Sequence, residues 1–137
     1  MVRRIALIPL ILILAVLVGC APPERRLHEA VTSGNVKSVV RLIEKQPDLI
    51  DSTDKLGWTP LHWAARSGQV EVVRMLIDSG ADVNYADEKA GTPLHMAVYS
   101  GHGDVAELLI AKGADVNALI PRDEQRPLHL AAHFGRK

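Results

Sequence analysis

The stretch Thr59-Pro60-Leu61-His62-Trp63-Ala64-Ala65 returns as Thr92-Pro93-Leu94-His95-Met96-Ala97-Val98, and again as Arg126-Pro127-Leu128-His129-Leu130-Ala131-Ala132. A weaker copy, Leu27-His28-Glu29-Ala30-Val31, lies upstream. The steps His28 to His62, His62 to His95 and His95 to His129 are 34, 33 and 34 residues. A fixed period of this size marks a stacked-repeat architecture, in which each unit buries its apolar face against its neighbours.

Within the second unit, the Thr59 hydroxyl can cap a helix while Pro60 takes the first helical position, where a missing N–H costs nothing. Gly68 permits a turn, Val72, Val73, Leu76 and Ile77 form an apolar stripe, and Gly80 ends the second helix. The first unit opens at Glu24-Arg25-Arg26-Leu27-His28 without Thr-Pro, as suits a terminal repeat. Its second helix is predicted from about Val36, with Val39, Val40, Leu42 and Ile43 as the stripe and Pro47 as the stop.

The later units depart from the pattern. Aligned on the histidine, Ala90 falls where the second unit has Gly57, and Gly91 is one place late. Either Ala90 is strained or the turn shifts to use Gly91, so this turn should differ in shape from its neighbour. Gly103 replaces Val70, which weakens the start of a helix. The fourth unit has one extra residue in its turn and Arg126 in place of the capping threonine. The chain stops at Lys137 after one helix, leaving no second helix to cover Leu128, Ala131 and Phe134. This end is expected to fray, being either truncated or completed by something else.

The motif Thr-Pro-Leu-His-x-Ala resembles that of the ankyrin repeat, a turn plus two antiparallel helices of about 33 residues. Gly68 and Gly101 follow their histidines by six residues, and Gly80-Ala81-Asp82-Val83-Asn84 is echoed by Gly113-Ala114-Asp115-Val116-Asn117. The resemblance covers residues 24–137 and implies an all-α solenoid of about three and a half repeats with short projecting turns. The units fall near 24–56, 57–89, 90–123 and, in part, 124–137.

The resemblance also implies that His62, His95 and His129 are structural, hydrogen-bonding between neighbouring turns. Positions that vary between copies would line a concave face that binds a protein partner. Here these include Lys55, Trp58, Arg66, Tyr85, Lys89, Tyr99 and His133. Trp, Tyr and Arg concentrate binding energy at interfaces. Trp58 and Tyr85 read equally as packing over neighbouring turns.

The apolar fraction of 47% is inflated by the amino-terminal run. Residues 1–19 read as an export signal: Arg3 and Arg4, then Ile5 to Val18 without a charged or hydrogen-bonding side chain. The run is too short to span a bilayer and is interrupted by Pro9. It ends in Leu17-Val18-Gly19-Cys20, which resembles the lipobox of bacterial lipoproteins. That implies cleavage between Gly19 and Cys20, lipid on Cys20, and a tether over 20–23. Two or more acyl chains make such an anchor durable. Ala21 after the cysteine favours the outer membrane by resemblance, with the repeats facing the periplasm close to the bilayer.

From Cys20 onward the chain carries 14 basic and 16 acidic residues, which gives no reason to expect nucleic acid. The single cysteine excludes an intrachain disulfide. No nucleophile elbow, phosphate-cradling glycine loop or clustered carboxylate pair is present, so neither an enzyme nor a cofactor is expected. His129 and His133 lie four apart on one helical face, but the spacing supplies no third ligand and no specific metal site is expected. The expected work is non-catalytic, holding a protein partner at the membrane. The alternatives are an immunity-type neutraliser of a secreted toxic enzyme and, from another class, a metal-handling protein built on His129 and His133.

Overall fold

The computed structural model describes residues 21–120; the leader with Gly19 and Cys20, and the fourth motif copy with His129 and His133, lie outside the described residues. Three helix pairs follow one another: α1 Pro23–Thr32 and α2 Val36–Lys45, α3 Pro60–Ser67 and α4 Val70–Asp78, α5 Pro93–Ser100 and α6 Gly103–Ala111. Among the described residues there is no strand, only one isolated bridge between Asp87 and Gly91. The expected all-α stack is what forms.

The helices begin where local chemistry allows them to. Pro23, Pro60 and Pro93 each open a helix, and Asn35 caps α2 by accepting the Ser38 N–H at 3.1 Å. Helix α1 therefore starts inside the stretch read from sequence as a tether. Pro47 stops α2 but also begins a 3₁₀ turn, Pro47–Asp51, that the sequence reading did not anticipate; it plugs the first unit with the buried side chain of Leu49. Helix α6 starts at Gly103, the position of Val70 in α4, so the substitution does not displace the helix start.

First helices pack on first helices (α1 on α3, α3 on α5) and second helices on second helices, giving two rows. Leu27, Val31 and Val39 join Leu61, Val72, Val73 and Leu76, then Leu94, Val105 and Leu109, in one continuous core. The small buried residues Ala64, Ala65 and Ala97 let the first-helix row approach closely. Burying one such leucine contributes about 2 kcal/mol, but only if the next unit is present to cover it.

Polar ladders tie the units at equivalent positions. Gln69 donates to the Thr32 carbonyl at 3.2 Å, and one unit later His102 Nε2 donates to the Arg66 carbonyl at 3.0 Å. At the opposite corner, Asp51 accepts the Asp82 N–H at 3.0 Å and Asn84 accepts the Asp115 N–H at 2.7 Å. The Gly-Ala-Asp-Val-Asn corners thus shape their own turns and also fix the spacing of the stack.

Candidate functional site

The motif histidines position the turns. His62 is fully buried at the third residue of α3, and its Nδ1 accepts the Thr59 N–H at 3.2 Å and lies 2.9 Å from the Thr59 hydroxyl. Because a backbone N–H can only donate, Nδ1 must carry the lone pair and Nε2 the proton. Nε2 then donates to the Gly91 carbonyl of the next turn at 2.9 Å. Burial lowers the His62 pKa below its ordinary value of 6.5, against a smaller opposing effect of the Gly91 carbonyl and the Asp87 and Asp54 carboxylates. His95 accepts the Thr92 N–H through Nδ1 at 3.1 Å in the same way. His28 does not share this role: α1 begins three residues too early for it, and its ring packs against Trp63 instead, tilted by 43°.

The two described turns differ as the shifted glycine requires. In 54–58, the Gly57 N–H donates to the Asp54 carbonyl at 3.0 Å, and Gly57 takes a positive φ of 81°. In 87–91 it is Gly91 that takes the positive φ, 72°, and its N–H that returns to the Asp87 carbonyl at 3.0 Å. Ala90 is relieved of strain because the glycine one place on makes the bend.

Four side chains converge beside the first turn. Trp63 lies 4.2 Å from His28 and 4.6 Å from Trp58 between ring centroids. The Arg66 guanidinium covers both indoles, at 5.2 Å from Trp58 and 5.4 Å from Trp63. Beneath them, Asp54 accepts the Trp63 Nε1–H at 2.7 Å with one oxygen and the Leu56 and Trp58 N–H groups at 2.8 and 3.0 Å with the other. The carboxylate therefore fixes the turn and the indole together, and the guanidinium lies over the indoles so fixed. Cation–π contacts at such exposed sites contribute about 0.5–1 kcal/mol each, so their main effect is to pre-set the arginine.

Of the residues singled out from sequence, Trp58 and Arg66 come together. Tyr85 packs edge-on against His62 at 6.0 Å, the packing reading of that residue, and Tyr99 stands 56% exposed at the position of Arg66 one unit on. Lys55 and Lys89 are exposed in the two turns, 54–58 and 87–91. The sequence reading missed Trp63, His28 and the side-chain role of Asp54. A signal was available, since Glu29, Trp63, Met96 and Leu130 occupy the variable place of the motif. Among the described residues no group of three or more metal-ligating side chains occurs, and no helix is long and apolar enough to cross a membrane.

Comparison with known proteins places this geometry. The family description for ankyrin repeats in three copies matches residues 27–120 and 86–137. The chain is similar to human protein phosphatase 1 regulatory subunit 27, at 48% identity over 56 residues, which is 41% of this chain and 36% of that protein. It is similar to mouse ankyrin repeat domain-containing protein 40 at 39% identity, over 43% of this chain and 16% of that one. It is also similar to mouse 2-5A-dependent ribonuclease at 45% identity, over 41% of this chain and 8% of that one. The chain thus spans about a third or less of each of these relatives.

Proposed function

The chain belongs to the ankyrin-repeat family, and from that premise we propose that it is a non-catalytic scaffold that binds a protein partner through the first-helix row and the turns beside it. The family is generally an interaction domain, and one relative is named as a regulatory subunit. The observation that carries the reading is Arg66 set over Trp58 and Trp63, an exposed cation against two half-buried indoles. Side chains already fixed before contact lose little entropy on binding, and Trp and Arg are the residue types that dominate interfaces. Tyr99 extends the same row by one unit.

We propose further that Cys20 carries lipid after cleavage at Gly19, which holds the stack on the periplasmic side of a bacterial membrane, the outer membrane in preference to the inner. The partner then meets the scaffold at the membrane. Capture from solubilised membranes by the wild-type chain and by an Arg66→Glu, Tyr99→Ala variant tests the binding face. A partner retained by the first and reduced at least about tenfold with the second, at unchanged helical signal and melting, is the expected result. Equal retention by both would sink the assignment of the face. The captured partner's chemistry distinguishes a housekeeping enzyme from an exported toxin.

A further inference from the structure

Charge is segregated along the stack. Residues 24–46, the first helix pair, carry five basic and three acidic side chains; residues 47–120 carry five basic and eleven acidic. The first helix pair is therefore net positive by two and the rest of the described chain net negative by six. Helices α1 and α2 turn one side toward α3 and α4, and on the pair's surface lies an open groove of about 330 Å³. Arg26, Arg41 and Lys45 line it together with the hydroxyl of Ser38, while the Ser33 hydroxyl donates to the Ala30 carbonyl at 3.1 Å. The one acid in the lining, Glu29, is paired with Arg25 at 3.1 Å. Arg26, Arg41 and Lys45 are all exposed.

We propose that this first helix pair is a docking face for the anionic headgroups of a phospholipid bilayer, seating the stack end-on against the membrane. The chemistry fits: guanidinium and ammonium groups beside the Ser38 hydroxyl match phosphate oxygens, and a basic cluster is drawn to an anionic leaflet within a screening length. The geometry fits as well. Helix α1 starts at Pro23, so a lipid on Cys20 leaves only about three extended residues, roughly 10 Å, between bilayer and helix. The acidic stretch that follows the first helix pair repels the same surface. The inference takes its location from the anchor reading above, but its chemistry is independent of that reading.

The test uses the full chain, purified in detergent and reconstituted with vesicles of phosphatidylcholine alone or mixed with phosphatidylglycerol. A fluorophore at Gln46→Cys, next to the groove, is quenched by spin labels on the lipid headgroups; the same label at Glu107→Cys on α6 is the distal control. Quenching at position 46 is expected to rise at least about threefold in the anionic vesicles, to fall back near 1 M salt, where the screening length is about 3 Å, and to be lost in Arg41→Glu, Lys45→Glu. The distal label should respond to none of these changes. Equal quenching in both vesicle types overturns the docking face. So does its loss to inorganic phosphate at matched ionic strength, which would mark a small-anion site. Flotation with neutral vesicles reports the anchor separately: a chain that floats only with anionic vesicles, and stops doing so on charge reversal, keeps the docking face and removes the anchor.

Discussion

His62 Nε2 reaches across the repeat boundary to the Gly91 carbonyl at 2.9 Å, while its Nδ1 holds the Thr59 N–H of its own turn at 3.2 Å. One fully buried ring thereby satisfies two backbone groups from successive turns. Without the ring the buried Thr59 N–H loses its acceptor, while the Gly91 carbonyl keeps the Asp87 N–H at 2.9 Å, and a buried donor left unpaired makes the residue costly to remove.

Replacing His62 by Ala should therefore destabilise the fold by about 2–4 kcal/mol, more than the loss of one ordinary hydrogen bond. The melting temperature is expected to fall by roughly 10–20 °C in a domain of this size. His62→Gln, whose amide can still take the Thr59 N–H, should recover part of the loss. Thermal melts followed by circular dichroism check this, and a loss below about 1 kcal/mol would show that the ring is dispensable.

Stability should also depend on pH with a definite sign. The folded-state pKa of His62 is depressed by burial below 6.5, so on acidification the unfolded chain takes up the proton first. Its contribution is complete above the unfolded value and is lost as pH falls from about 6.5 toward the folded value. The slope from one such group is at most about 1.4 kcal/mol per pH unit. Urea titrations across this range should show stability falling in the wild type and a flatter profile in His62→Gln.

Two glycines should respond oppositely to alanine. Gly68 has a φ of 71°, and a Cβ there would lie 2.6 Å from the His102 ring, so Gly68→Ala is expected to cost about 1–2 kcal/mol. Gly103 begins α6 with open space around its Cα, and Gly103→Ala should stabilise by about 0.5 kcal/mol. Chemical denaturation of both variants gives the comparison, and a shared sign would contradict this account.

Asp54→Ala removes the acceptor of the Trp63 indole and of two turn amides. A loss of about 1–3 kcal/mol is expected, together with a red shift of tryptophan emission as the indoles loosen. Arg66→Ala, which removes only an exposed cation, should change stability by less than about 1 kcal/mol. Unchanged emission in Asp54→Ala would mean that the carboxylate does not hold the cluster.

For the anchor, Cys20→Ser is expected to leave an unprocessed precursor without lipid. Intact-mass measurement of the wild-type amino-terminal peptide should show acyl groups on Cys20; a free thiol there would remove the membrane reading.

Much of the fold was legible because repetition amplifies weak local signals. Thr-Pro marked the starts of α3 and α5, the apolar stripe marked α2 and α4, and the late Gly91 foretold a reshaped second turn. The 3₁₀ turn after Pro47 was not legible, since its hold comes from burying Leu49 against other elements. The site was only half legible. Arg66 and Trp58 stood out as copies that differ, but Trp63 was passed over as part of the motif that defined the fold.

By itself the chain order determined the period, the helix pairs and the structural place of His62 and His95, because caps, turn glycines and apolar spacing act between near neighbours. Only the tertiary structure decided that Trp63 would meet His28 from the preceding unit, that Asp54 would tie turn to indole, and that Arg66 would lie across both indoles. Those contacts depend on how successive units are offset when their apolar faces are buried, and no local preference encodes that offset.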